Sequence, residues 1–145
     1  MLLAGYSQSQ IVTIWEEEIF RLTNIERANH GVSPLTFHAA MSTAARGHSN
    51  DMLVNNMRGH IGSDGSRVGD RLTRAGVNNF SGWSENVSYR TSTPHAVVQG
   101  WMNSPDHRRN ILNSNRTHIG VGVAFSFDGL NVTRAVHTQK FTIFR

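Results

Sequence analysis

Eight histidines fall within 145 residues. Histidine is the side chain whose ordinary pKa, about 6.5, lets it move a proton near neutrality or ligate a metal as the neutral imidazole. Six of them have a structural reading. His30 and His38 sit at helix ends, beside terminal backbone groups, and His95 lies in a first helical turn. His48 lies on the apolar stripe of a helix and reads as a satisfied core residue, and His118 and His137 belong to strand segments with no partner in view. His60 and His107 differ, because each is in or beside a segment rich in Gly, Ser and Pro, where loops bring side chains to a cleft held by a rigid scaffold. Glu85 lies between them in a further irregular segment, flanked by Ser84 and Asn86.

Two histidines and a carboxylate from separate segments suit three roles. They can hold a zinc-type ion with nitrogens about 2.0–2.1 Å from the metal. They can form an acid/base pair without metal, or they can tie loops together by hydrogen bonds. The spacing does not choose among these: there is no H-E-x-x-H helix and no ligand pair at i, i+4. Ser84 beside Glu85 lacks the G-x-S-x-G elbow of a serine nucleophile. The stretch Gly59–Gly65 lacks the Lys-Ser/Thr of a phosphate loop. Trp15 and Trp101 fall at helical spacing and read as core, whereas Trp83, between Gly82 and Ser84, reads as lining a cleft.

Composition removes further classes. With no cysteine the chain has no disulfides, thiolate metal sites or cysteine nucleophile. The net charge of +4 comes from fourteen basic residues, of which Lys140 is the one lysine. Without a basic stripe or interleaved stacking aromatics, nucleic acid is not an expected partner. No stretch approaches the ~18–20 apolar residues of a membrane span. The first residues are too short and polar for a signal-peptide core, and residues 1–9 are expected to be a disordered extension of a single domain spanning 1–145.

The elements that must position these side chains read as helices first and strands last. Val12, Trp15, Ile19, Leu22 and Ile25 fall three or four apart, predicting a helix over Gln10–Ala28 that Asn29-His30-Gly31 closes. A second helix is predicted over Ala39–Asn55, and a short one follows Ser66 to Gly76. Thr93-Pro94 and Ser104-Pro105 each open a helix, the second containing His107. Asn78–Val87 shows no period and reads as loop or short extended chain. Ile119, Val121, Val123 and Phe125 then alternate with Gly120, Gly122 and Ala124 as a strand with one crowded face. Asp128-Gly129 marks a hairpin, with Leu130–Val136 and Thr138–Phe144 returning. The sum is an α+β domain with helices on an antiparallel sheet.

From Thr23 to Phe144 the chain closely resembles the CAP superfamily (cysteine-rich secretory proteins, antigen 5, pathogenesis-related 1), also called SCP-like domains, in its bacterial form. The resemblance rests on Asn24-Ile25-Glu26-Arg27, Gly31–Leu35, Ala44–Met52, His60–Ser66, Ser84-Glu85-Asn86-Val87, Gly100–Leu112, Ile119–Ala124 and Thr138-Gln139-Lys140-Phe141. It implies an α-β-α sandwich with a central antiparallel sheet and a large open cleft. In that cleft His60 and His107 would ligate a divalent metal, usually zinc, beside the acid Glu85, with no organic cofactor. Trp83, Ser84, Asn86, Ser104 and Asp106 are expected to line it. Ser104 occupies the place of a second cleft acid found in larger eukaryotic members, and Asp106 is the nearest acid in sequence. The resemblance also implies an extracellular or cell-envelope setting and a lipid or envelope component as partner. Three functions follow as expectations: a secreted binding module with metal on His60 and His107, a metal-assisted protease- or esterase-like hydrolase with Glu85 as general base, and a histidine–glutamate trio serving as a brace.

Overall fold

The first helix begins where its own side chains can satisfy its open end. In a computed structural model describing residues 5–145, Ser7 caps α1 (Gln8–Asn29) by a reciprocal box. Its Oγ accepts from Gln10 N at 3.2 Å, and Gln10 Oε1 accepts from Ser7 N at 2.8 Å. Gln8 and Ser9 are therefore helical rather than part of an extension, and Met1–Ala4 lie outside the described residues. The buried face is Ile11, Trp15, Glu16, Ile19, Thr23 and Arg27, with Ile25 turned outward. Polar residues displace the expected apolar stripe because each finds a partner inside.

Arg27 illustrates this. Fully buried, it donates to four carbonyls: Ser33 at 2.8 Å, Ile111 at 2.7 Å, Asn113 at 3.0 Å and Arg116 at 3.2 Å. The planar guanidinium fork suits this several-way fastening, where a point-charge ammonium would not. Asn24 exchanges two hydrogen bonds with the Leu35 backbone. The Asn24–Arg27 motif is thus a fastening of α1 to the chain that follows.

The remaining elements are β1 (Thr36–Phe37), α2 (Ala39–Val54), α3 (Val68–Arg74), β2 (Phe80–Ser88), α4 (Pro94–Met102), α5 (Pro105–Ile111), β3 (His118–Asp128) and β4 (Asn131–Phe144). The sheet order is β1-β3-β4-β2. The β2–β4–β3 body is antiparallel, as expected, while the two-residue β1 adds a parallel pairing to β3 that makes the sheet mixed. Of the two readings open for Asn78–Val87, loop or short extended chain, the extended one holds from Phe80 onward, where β2 runs along the β4 edge. Its sequence shows no apolar alternation because two of its inward residues, Glu85 and Asn86, are polar.

Helices α1, α4 and α5 share one apolar cluster with β3 and β4, and α2 and α3 form a second on the opposite face. The crowded face of β3 is explained by Gly120 and Gly122, against which the α2 backbone lies directly. Beyond β1, the free edge of β3 is covered by side chains. Val121 N donates to Ser42 Oγ at 2.9 Å and Val123 N to Glu16 Oε2 at 3.0 Å. Glu16 is also gripped by Arg46 through two bonds of 2.7 and 3.0 Å. Covering the edge in this way removes a template for strand addition by another chain.

Strand β4 is buried on both faces from Ala135 to Thr142 although most of that run is polar. His137 carries a cost there: neither ring nitrogen has a partner among the described residues, and burial pushes its imidazole down to about 4. The unfolded chain, with an ordinary value near 6.5, binds the proton first as pH falls. Stability is therefore expected to drop by roughly 3 kcal/mol between about pH 6.5 and 4, at about 1.36 kcal/mol per unit, with buried His48 adding in the same direction. His137→Leu should flatten that slope in urea titrations at a series of pH values. A slope equal to that of the wild type would remove His137 from this role.

Candidate functional site

Strand β2 is the outer strand of the sheet, and alternate residues on it serve different layers. Glu85 projects toward α2 and α3, whereas Asn86 projects toward α5, as their partners show. Glu85 lies opposite Lys140 in the β2–β4 register, and its Oε2 accepts from Lys140 Nζ at 2.5 Å and from Arg71 Nη2 at 3.2 Å. Its Oε1 is 2.8 Å from His60 Nδ1, and His48 Nε2 stands 3.7 Å away. The carboxylate is buried, as are Lys140 and Arg71.

Electrostatics follow from this ring of partners. Burial opposes the charge on Glu85, but the His60 hydrogen bond and the nearby Lys140 outweigh it and hold the carboxyl down at about 2. Lys140 is pushed down to about 8, chiefly by burial. Arg71 also braces the loop, donating to Ser66 O at 2.8 Å and His60 O at 2.9 Å.

His60 is half exposed even while tied to Glu85. The bond through Nδ1 directs its Nε2 away from the carboxylate, the arrangement by which an outer-shell carboxylate orients a ligating imidazole. His60, Trp83, Ser84 and Glu85 line one cavity of about 380 Å³ together with Ile61, Arg67 and Val68. His107 lines a neighbouring one of about 470 Å³ with Ser104, Tyr89, Arg58 and Arg90. Burial pushes the His107 imidazole down, and the charge of His60 adds in the same direction. The two histidines come from the opposite helical layers and flank strand β2.

Two expected lining residues stand elsewhere. Asn86 is fully buried, where it donates to His107 O at 3.1 Å and Gln139 Oε1 at 2.9 Å and accepts from Asn110 Nδ2 at 2.8 Å. Strand alternation turns it away from Glu85, and it pins α5, and so His107, to the sheet. Asp106 faces solvent in the first turn of α5 and pairs with Arg109 at 2.8 Å, so it does not take the place of the second acid. Sequence reasoning missed Lys140, Arg71 and His48 around Glu85. A signal existed for Lys140, since the one lysine of an arginine-rich chain falls within a strand.

The donor set is sparse. His60 Nε2 and the His107 ring are available, but no group of three His, Cys, Asp or Glu among the described residues is placed to hold an ion. Structural zinc takes four protein ligands and catalytic zinc three, so two imidazoles alone fall short of either pattern.

Two helical layers enclosing a four-stranded sheet, with His60 and His107 each lining a cavity beside β2, constitute an α-β-α sandwich of the SCP type. Residues 20–141 match the CAP family, the cysteine-rich secretory protein family, and the chain belongs to it despite having no cysteine. It is 40% identical over 132 residues to the uncharacterized membrane protein YlbC of Bacillus subtilis (strain 168), covering 91% of this chain and 35% of that one. The uncharacterized protein YkwD of the same organism is 39% identical over 130 residues, 90% of this chain and 48% of that one. The chain thus spans between a third and a half of the length of these relatives. The crystal structure of an extracellular protein containing a SCP domain from Bacillus anthracis superposes with a TM-score of 0.83 at 35% identity, covering 99% of this chain and 45% of that chain. An outer surface protein of Borrelia burgdorferi shares the fold, with a TM-score of 0.78 at 16% identity over 89% of this chain and 92% of that one.

Proposed function

We propose that this domain is an extracellular or cell-envelope binding module in which His60 and His107 hold an exchangeable divalent ion, zinc first among them, while Glu85 positions rather than reacts. The observation that carries this reading is the Glu85–His60 Nδ1 bond, made by a carboxylate already fixed by Lys140 and Arg71. A bound ion would supply a Lewis-acidic centre able to hold an anionic or carbonyl group of a partner, such as a lipid head group or envelope component. The setting is supported by the extracellular protein of Bacillus anthracis and by the membrane protein YlbC as relatives. No helix among the described residues is long and apolar enough to cross a membrane.

The hydrolase reading draws no support from Glu85. A general base works best with a pKa near the operating pH, and a carboxylate held at about 2 by its hydrogen bond to His60 and the charge of Lys140 is a poor proton acceptor at neutrality. The brace reading is supported for Glu85 by its bonds to Lys140, Arg71 and His60 and is compatible with metal binding at the imidazole it orients.

Calorimetric titration with zinc tests the proposal. His60→Ala and His107→Ala should each weaken binding by at least ~10-fold, since each removes one of two ligands. Binding should also fade at acid pH, because only neutral imidazoles ligate. Isotherms identical for wild type and both variants would refute the site.

A further inference from the structure

The cavity of about 470 Å³ that His107 lines has a second character, set by charge. Its wall is built from the end of β2, from α4 and the α4–α5 junction, and from Arg58, which follows α2. Arg58 and Arg90 both line it, and no Asp or Glu does. A smaller cavity beside it shares Arg58 and Tyr89, adds Arg134, and likewise has no acid in its wall. The three arginines are far apart in the chain, so folding gathers them.

Arg21, Arg46, Arg71, Arg74 and Arg109 are each paired with a carboxylate of the protein. Arg58 and Arg90 have no such partner among the described residues, yet both guanidiniums are placed. Arg58 lies over the Tyr89 ring, its Cζ 4.7 Å from the centroid, a cation–π contact. Arg90 lies along α4, where a Cβ at Gly100 would touch its Cζ at 3.9 Å. Ser104 adds a hydroxyl. It is the N-cap of α5, but unlike Ser7 and Thr93 it makes no side-chain bond to its helix, which leaves its Oγ to the cavity it lines.

Placed cations without counter-charges, beside a free hydroxyl, make a receptor for an anion. A phosphate matches it better than a carboxylate does. A phosphomonoester carries about −1.5 to −2 charges at neutrality and three acceptor oxygens, enough for two guanidinium forks and a hydroxyl together. A carboxylate brings a single charge and two oxygens. The volume falls within the roughly 300–1,000 Å³ of small-molecule sites, which leaves room for the organic body of an ester.

We propose that this cavity binds a small phosphomonoester, its phosphate held by Arg58, Arg90 and the Ser104 hydroxyl. The site shares His107 with the ion site proposed above but does not rest on it, because none of these three groups is a ligand of that ion.

The test is an NMR titration of the full chain with glycerol 3-phosphate at neutral pH and low salt. Excess EDTA is present, so the fate of the metal site cannot alter the outcome. Binding should saturate with a dissociation constant on the order of 1 mM, and acetate should bind at least ~10-fold more weakly. Inorganic phosphate should displace the ester, since recognition falls on the phosphate. Arg58→Gln and Arg90→Gln change exposed residues and should fold; each should weaken binding at least ~5-fold, with the double variant losing it. Arg74→Gln removes the same charge from α3, outside this cavity, and should bind as the wild type does. The proposal is overturned if the ester does not saturate, if acetate binds as tightly, if inorganic phosphate fails to displace it, or if the double variant binds like the wild type. An equal loss in Arg74→Gln would overturn it too, by reducing the effect to net charge.

Discussion

Replacing Gly122 by alanine is expected to cost the domain at least about 4 kcal/mol, at the extreme of single substitutions. A Cβ built there would lie 1.9 Å from Arg46 N and 2.4 Å from Ala45 C and Arg46 Cα. Those are backbone atoms in the middle of α2, which cannot swing aside as a side-chain tip would, so the whole helix must lift from β3. Ordinary overpacking costs about 1–3 kcal/mol because side chains adjust, and that relief is missing here. Lifting α2 also strains the Ser49 hydroxyl, which donates to Gly122 O at 2.9 Å and is 2.7 Å from Thr138 Oγ1. Against a total stability of about 5–15 kcal/mol, the variant would be near its threshold, with a melting temperature roughly 10 °C lower or no cooperative transition at all. Gly47→Ala, on the outer side of the same helix, is the control and should not destabilise. A drop of less than about 1 kcal/mol for Gly122→Ala in urea denaturation would show that the helix–strand contact is looser than the coordinates have it.

The second large effect is expected at Glu85. Glu85→Gln removes the one carboxylate beside Lys140 and Arg71, leaving fully buried Lys140 without a counter-charge. Removing one partner of a buried ion pair typically costs about 3–5 kcal/mol, most of it the penalty of the stranded charge. Much of the loss should therefore return in the double variant Glu85→Gln/Lys140→Met, where no charge is stranded. If the double variant is as unstable as the single one, the pair is not the source of the loss. The same substitution loosens His60, and an outer-shell partner is worth about 10–100-fold in metal affinity, so calorimetry on folded Glu85→Gln separates orientation from stability. The pH dependence follows from the depressed pKa. Glu85 sits at about 2 when folded against an ordinary 4.5, so its contribution is full above about pH 4.5 and is lost as pH falls toward 2.

Local regularities made most of the architecture legible in advance. Thr93-Pro94 opens α4, with Thr93 Oγ1 accepting from Ala96 N, because a cap and a ring-locked φ act within one turn. The alternation of Gly120 and Gly122 with Ile119, Val121 and Val123 announced a strand with one close-packed face, since side-chain direction has a period of two. The second turn residue at Asp128-Gly129 takes a positive φ of 60°, as the hairpin signal implied. By contrast β2 could be read only as loop or short extended chain. Its identity depends on pairing with β4, some fifty to sixty residues later, and two of its inward positions are polar groups whose partners come from four other elements.

The site divides along the same line. His60, Glu85 and His107 could be singled out by residue type, by loop context and by family resemblance, because chemistry of that kind is written in composition. What Glu85 does with its charge was decided only by folding. The β2–β4 register set Lys140 opposite it, α3 delivered Arg71, and α2 brought His48 within 3.7 Å. A carboxylate alone in sequence could have been a base, but one enclosed by buried cations is held ionised and accepts a proton poorly at neutrality, since proton affinity depends on neighbouring charge and desolvation. The chain by itself determined which side chains were available and which local elements would carry them. The packing of two helical layers around one sheet decided which of them meet, because long-range contacts arise from burial and strand pairing rather than from any pattern within a few residues.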